Sequence, residues 1–514
     1  MLCMLAGTMV ILAACTVGPN YTRPTTEAPG GFKELEGWKR AQPKDNILRG
    51  AWWKLFNDPQ LNVLEDKIKI SNQNVAVAEA QFRQARALVQ AARAGYFPTA
   101  TVAPSYTLGS RLPVSVGGAS ATVSSSSGGT IQDFLLPVDA TWELDVWGRI
   151  RRTVESSRAS AQASAADLEN ARLSAQAALA QAYFQLRTLD AQKVLLGAAI
   201  VGYAQFLQLT KNRYDSGVAS KGDVLQAETQ LKTTQAQMID LGVQRAQYEH
   251  AIAVLIGIPA SVFSISLSPL REPPPDVPTG VPSELLERRP DIAAAERGLA
   301  AANAQIGVAE AAYYPTITLS AAGGFVASSL STWLTWPSRF WSVGPAISEI
   351  VYDGGLRRAQ TDQARAAYDA AVASYRQTVL AGFQGVEDNL AALRILEEEA
   401  EVQAEAVRAA EQSVTVETNQ YKAGIVSFLD VVTVQQIALT NEKTAVGILG
   451  SRMNASVLLI QALGGGWHDS SLPTDRDLAR ADDRPPRSTE TKTVPVVPPS
   501  VSVIGAQRQS DAMR

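Results

Sequence analysis

The chain has 514 residues and a formal net charge of only -4, so it has room for several domains but no electrostatic footprint for nucleic acid. Its two cysteines, Cys3 and Cys15, fall in the first fifteen residues, and its two histidines, His250 and His468, lie far apart. That inventory excludes a disulfide framework or a Cys-based metal site beyond Cys15, and two distant histidines do not suggest a metal site either. Most of the usual catalytic repertoire goes with them; no catalytic residue, no metal and no cofactor beyond a covalent lipid is expected.

At the N-terminus, residues 1–14 form a short apolar run ending on Leu12-Ala13-Ala14-Cys15. Such a run is too short to span a bilayer and predicts an export signal. The four residues resemble a bacterial lipobox, in which the cysteine is acylated and becomes the mature N-terminus. An ordinary cleaved signal, or a core helix with a chance cysteine, is the competing reading. Basic residues are missing ahead of the run, which leaves the true translation start open. Thr16 rather than Asp follows Cys15, which favours the outer over the inner membrane. No run of eighteen apolar residues follows, so a membrane crossing would have to be a closed β-barrel.

The rest of the chain is written twice. Gly95-Tyr96-Phe97-Pro98-Thr99 recurs as Ala312-Tyr313-Tyr314-Pro315-Thr316, and the Gly148 to Arg152 stretch as Gly354 to Arg358. Arg213-Tyr214-Asp215-Ser216-Gly217 recurs as Gln420-Tyr421-Lys422-Ala423-Gly424, then Asp223-Val224 as Asp430-Val431. These landmarks predict a first repeat over 15–268, a Pro-rich connector over 269–283 and a second repeat over 284–466. Residues 467–514 are polar and Pro-rich and are expected to be disordered.

Each repeat runs through the same periodicities. An Ala/Gln/Glu-rich stretch, Leu61 to Ala94 or Pro290 to Ala312, predicts a helix. Alternation then predicts hairpins at about 99–147 and 315–352, with Gly117 to Gly129 as an exposed loop in the first. Val138, Ala140, Trp142, Leu144 and Val146 take one face, and Asp139, Thr141, Glu143 and Asp145 the other. A soluble sandwich alternates too. Strands of about ten residues with one apolar and one acidic face suit a lipid-exposed barrel around water, with Trp333, Trp336 and Trp341 as an interfacial belt. Read that way, Asp139, Glu143 and Asp145 face the lumen. Four strands cannot close alone, since about eight are needed; three copies give about twelve.

From about Arg149 to Arg213 and from about Leu356 to Tyr421 no proline interrupts the pattern, which predicts rods of roughly 100 Å. Second helices follow, near Lys221 to Ile256 and Phe428 to Leu463. Stacked on the pre-strand helices, these would run beside the rods as walls of a cylinder. Catalytic readings are weak: Gly323-Gly324 and Asp353-Gly354-Gly355 lack the Gly-Lys-Ser/Thr ending of a P-loop. The acids of one strand face are spaced for a lumen rather than for glycoside hydrolysis.

At this point the chain resembles the outer membrane factor family, the TolC-like exit ducts, in its lipoprotein (OprM/NodT-like) branch. The resemblance rests on the lipobox, Gly18-Pro19-Asn20-Tyr21, Trp52-Trp53, Arg288-Arg289-Pro290-Asp291-Ile292, Tyr313-Tyr314-Pro315, Asp353-Gly354-Gly355 and the paired Tyr-x-x-Gly turns, and covers about Cys15 to Gly466. It implies a mainly α fold with β: a trimeric, twelve-stranded transmembrane barrel continued by a periplasmic α-helical barrel. It also implies a homotrimer in outer-membrane lipid, anchored through Cys15 and docked to a periplasmic adaptor and an inner-membrane pump. Tyr214, Gly217, Tyr421 and Gly424 then mark the tip turns that contact the adaptor. Leu429 and Asp430, with Asp223 as the first-copy counterpart, become candidates for the periplasmic constriction, the alternative for Asp430 being a solvated acid. Thr433 stands where relatives often carry a further acid. The expected function is passive export of drugs or other small molecules; peptide or protein export, and a pore-less coiled-coil surface lipoprotein, are the alternatives.

Overall fold

The computed structural model describes residues 16–25, 31–35, 50–109, 111–116, 119–124, 131–275, 277 and 285–479. The signal segment 1–14, Cys15, connector residues 276 and 278–283, and the tail from 480 lie outside the described residues.

Where one pre-strand helix is expected, two form: α1 (Pro59–Ser71) and α2 (Gln73–Ala94). Asp58 caps α1, accepting from the amides of Gln60 and Leu61 at 2.8 and 3.1 Å, with Pro59 supplying the fixed φ of a first turn. Asn72 divides the pair. Its backbone is extended, and its side chain accepts from the Val75 amide at 3.0 Å while donating to the Leu255 carbonyl at 2.7 Å. The break therefore seats the end of a distant helix.

After the strands β1 (Thr99–Val102), β2 (Ser105–Gly109), β3 (Arg111–Val116), β4 (Ala119–Ser124) and β5 (Ile131–Leu144) come two helices, α3 (Arg149–Asp215) and α4 (Lys221–Leu255). The second repeat gives α5 (Pro290–Ala311), β6 (Thr316–Ala327), β7 (Arg339–Ser348), α6 (Leu356–Lys422) and α7 (Phe428–Ala462). Both rods are 67 residues long, roughly 100 Å at 1.5 Å per residue. The end of α4 abuts the start of α2, and the end of α7 abuts the start of α5, where Arg289 donates to the Ala462 carbonyl at 2.7 Å. Four columns result, in the order α2 over α4, α3, α5 over α7, α6.

Both stacking joints turn on a left-handed glycine. A Cβ on Gly257 would lie 2.0 Å from the Ser71 carbonyl oxygen, and one on Gly464 2.0 Å from that of Arg288. Gly464→Ala is expected to cost on the order of 1–3 kcal/mol, since a positive φ and a backbone clash coincide. Thermal unfolding of the purified oligomer checks this; an unchanged midpoint would show that the joint is not tight.

β1 and β2 line up along β5, β5 pairs with β6, and β6 with β7, all antiparallel, giving one four-stranded wall with its first strand interrupted at Ala103-Pro104. The stretch expected as a loop is partly strand: Arg111 to Val116 pairs with Ala119 to Ser124, and only the residues at 117–118 and 125–130 lie outside the description. Val and Thr at alternate places supply the β-propensity that the Ser/Gly content concealed.

One further expectation is corrected. Residues 467–479 are folded, with a short helix α8 (Asp475–Ala479) whose Leu478 is fully buried against Val89 and Ala161. Gln90 holds the strap by donating to the Leu478 and Ala479 carbonyls at 2.9 and 3.1 Å. Trp467 and Leu472 pack against Ala166 and Ala293, and the Arg158–Asp475 ion pair adds a further tie. α3 and α7 each contain an 18-residue window apolar enough, by composition alone, to cross a membrane, though neither holds eighteen consecutive apolar residues.

At mid-height a buried ion network ties the segment after α4 to the columns. Asp190 is fully buried and accepts from Arg187, Arg245 and the Ser268 amide at 3.1, 2.8 and 3.0 Å. Arg187 and Arg245 also donate to the carbonyls of Ser266 and Ile265. Nearby, on the buried stripe of α1, Glu65 has no partner for either carboxylate oxygen.

Candidate functional site

The register assigns the two faces of the wall. Residues directly opposite in antiparallel strands share a face. Val102 pairs with Val138, Trp142 with Leu319, and Ala321 with Val343, so these side chains lie on one side, together with Ile317 and Ile347. Thr101 pairs with Asp139, Thr141 with Ser320, and Glu143 with Thr318 on the other. In the single chain the apolar face is largely uncovered, Trp341 being 78% exposed and Ile347 70%. A bare apolar face backed by a polar one requires lipid or a partner on one side and water on the other.

Aromatic side chains collect at both ends of this wall. On the helix side, Trp142 donates to the Tyr96 carbonyl at 3.0 Å, and Trp147 donates to the Pro315 carbonyl at 2.8 Å while stacking on Tyr314. At the far end Tyr106, Phe134 and Trp333 pack in a row, and Arg339 lies over the Trp336 ring at 3.8 Å. Two belts with an apolar band between them match the profile of a bilayer.

Of the three acids expected on the lumen side, two stand on the polar face. Glu143 is held by the Arg149 guanidinium at 2.9 and 2.5 Å. Asp145 lies beyond the last strand residue and accepts from the amides of Ile150 and Arg151, both at 2.8 Å. It caps a rod rather than lining a strand, because the chain leaves the sheet at Leu144. Asp353 does the same for α6: Arg357, with the amides of Gly355 and Arg357, holds its carboxyl down to about 2.

The N-terminal strap reaches the helix-side belt. The Val17 amide donates to the Trp147 carbonyl at 3.1 Å, and Thr16 packs where a Cβ on Gly148 would fall. Gly18 crosses α5 at Gly307, leaving no room for a Cβ, and Arg152 donates to the carbonyls of Val17 and Gly18. Residue 16 is thereby fixed at the sheet–helix junction.

At the opposite end, the paired turns are not equivalent. Tyr214 is 44% exposed, but Tyr421 is 4% exposed, packed between Phe206 and Phe428. Arg213 covers the Tyr421 ring at 4.5 Å and donates to its carbonyl at 2.7 Å. The tyrosine expected as a contact residue is thus a core residue, because the first repeat supplies an arginine where the second has Gln420. Gly217 and Gly424 both adopt positive φ, as a reversal between helices demands. Asp223 and Asp430 each close a capping box, with Ser220 and Ser427. Ser427 holds the Asp430 carboxyl below its usual range by donating through its hydroxyl and its amide. Leu429 beside it is exposed. Among the described residues no group of three or more His, Cys, Asp or Glu is placed to hold a metal ion.

The profile of the family described as "Outer membrane efflux protein" matches residues 64–258 and 281–465. The chain belongs to that family. Among its relatives, the "Solvent efflux pump outer membrane protein SrpC" of Pseudomonas putida is 31% identical over 89% of this chain and 97% of its own length. "Nodulation protein T" of Rhizobium leguminosarum bv. viciae is 30% identical over 91% of this chain and 94% of its own. Among solved structures, the outer-membrane channel OprN superposes with a TM-score of 0.80 at 33% identity, covering 88% of this chain and all of that one. The open state of the Neisseria gonorrhoeae MtrE outer membrane channel gives 0.75 at 25%, covering 88% and 98%.

This efflux protein is therefore an outer-membrane duct with a large periplasmic part, and its four-stranded wall and four columns are one third of a trimeric barrel. The residue that sequence reasoning missed is Arg213, which bridges the two repeats at the tip. Its signal was available: the first turn opens on the basic Arg213 where the second has the neutral Gln420.

Proposed function

We propose that the chain is the acylated exit duct of a three-component export system, with a periplasmic adaptor and an inner-membrane pump as its partners. The register carries this reading: one face of four strands is apolar, the other polar, and both rods leave that wall directly. The duct has no chemistry of its own, and the pump supplies the energy. Lipid on Cys15 fits the strap, because residue 16 is pinned at the helix-side aromatic belt, one residue from where an acyl chain would enter the bilayer. The cargo class is small molecules, as in the name of the solvent efflux relative. Adaptor contact falls on the tip turns at Tyr214, Gly217 and Gly424, with Tyr421 serving beneath as a support.

Reconstituted protein in a planar bilayer tests the duct: discrete conductance steps are expected, and their absence would remove the reading. Within it, Arg213 holds the two helix pairs together at the tip. A lost charge-assisted hydrogen bond is worth about 1.5–3 kcal/mol, so Arg213→Gln is expected to raise the fraction of time spent conducting roughly tenfold or more. Equal open fractions in the two proteins would place the resting constriction elsewhere, with the exposed ring positions Leu429 and Asp430 as the next candidates.

A further inference from the structure

The duplication exposes a difference in charge where strands meet helices. In the second repeat Glu310, five residues before Pro315, accepts from Arg365 at 3.0 Å. The first repeat has Arg93 five residues before Pro98, and Arg158 at the position along its rod that Arg365 holds in the second. An acid has become a third base. Arg93 and Arg151 have no carboxylate partner among the described residues, and Arg158, bonded to Asp475 at 3.1 Å, keeps a buried Nε without an acceptor. Burial raises the Tyr96 hydroxyl above its usual range, and the charges of Arg151, Arg158 and Arg93 oppose the rise. Asp145, the acid that also reaches it, is occupied by the amides of Ile150 and Arg151.

Like charges gathered in this way repel one another, and the second repeat shows that a single acid relieves the repulsion. Here Asp475 offsets one of the three charges, and the position of the cluster suggests what balances the other two. Tyr96 accepts from Trp142 through its carbonyl, and Trp142 belongs to the apolar face, so the turn three residues after Arg93 meets the helix end of the lipid-facing side of the wall. That level is the periplasmic water–lipid boundary, where Arg matches phosphate oxygens two at a time. We propose that Arg93, Arg151 and Arg158, with the Tyr96 hydroxyl, bind the phosphate of an anionic phospholipid whose acyl chains lie against the apolar face above. A free phosphate shares the headgroup chemistry but makes no use of that face.

The test uses the purified oligomer in detergent, with bound lipid counted by native mass spectrometry after adding phosphatidylglycerol or phosphatidylcholine. Phosphatidylglycerol is expected to be retained roughly tenfold or more in preference. The double variant Arg93→Gln/Arg151→Gln should lose that preference, while Arg358→Gln, the second-repeat counterpart of Arg151, should keep it. Equal retention of the two lipids, or a preference that survives the double substitution, overturns the proposal. So does displacement of the lipid by inorganic phosphate, which would make this a free-phosphate site. Dissociation of the double variant into monomers also overturns it, by showing that the arginines pair across a subunit boundary.

Discussion

Asp190→Ala is expected to be among the most damaging single substitutions in the periplasmic part of this molecule. The carboxylate is fully buried, and Arg187, Arg245 and the Ser268 amide converge on it. Removing it leaves two guanidinium groups in a dry site with only carbonyl, amide and one remaining carboxylate acceptor, Glu249. Breaking a buried ion pair from one side costs about 3–5 kcal/mol. The segment Ile265 to Leu270 is hung on the same groups, so it should loosen too. Lower yield of folded oligomer, a thermal midpoint several degrees down, and faster proteolysis near residues 263–270 are the expected readouts. Asp190→Asn, which keeps an acceptor for the Ser268 amide, should fall between. An alanine variant with wild-type midpoint and protease resistance would mean that the network is dispensable.

The second large effect concerns pH. Glu65 is 0% exposed and both its oxygens lack partners, so burial pushes its pKa well above the usual carboxylate value; Asp66 adds to the rise and Lys69 opposes it. The sign follows from linkage. The folded state holds the proton where the unfolded chain has released it, so this residue's contribution is complete below the unfolded pKa and is lost as pH rises through the folded one. Within that window stability falls by about 1.4 kcal/mol per pH unit for each chain. Glu65→Gln should abolish that slope, leaving the variant at least as stable as wild type at ~pH 8 and closer to it in acid. Parallel pH profiles of the two thermal midpoints would show that the carboxyl finds a partner in solution.

Much of this architecture was legible because its repeating patterns are long. Sixty-odd residues without proline can only be a rod, and period-two alternation from Val138 to Leu144 sorted the faces of β5 without help. What stayed hidden depends on single residues whose meaning is set at a distance. Asn72 ends a helix because the Leu255 carbonyl waits for its amide, and nothing near residue 72 announces that. Leu478 is one apolar residue in a polar stretch, invisible to any periodicity. Tyr214 and Tyr421 occupy matching positions, yet only one faces solvent, since the two repeats pack against each other and not against copies of themselves. For the acids the local contacts stayed hidden. Asp145, Asp223 and Asp430 stand out by charge, and the backbone amides or serines beside them engage their oxygens.

The uneven lengths of the two hairpins carry one last implication. The ribbon of β3 and β4 begins beyond the final β5–β6 pair, at Phe134 and Ala327, on the side away from the helices. A threefold assembly carries three such ribbons at the end of the wall away from the helices. The first hairpin thus reaches further from the helices than the second, and the two repeats differ most at that end of the wall.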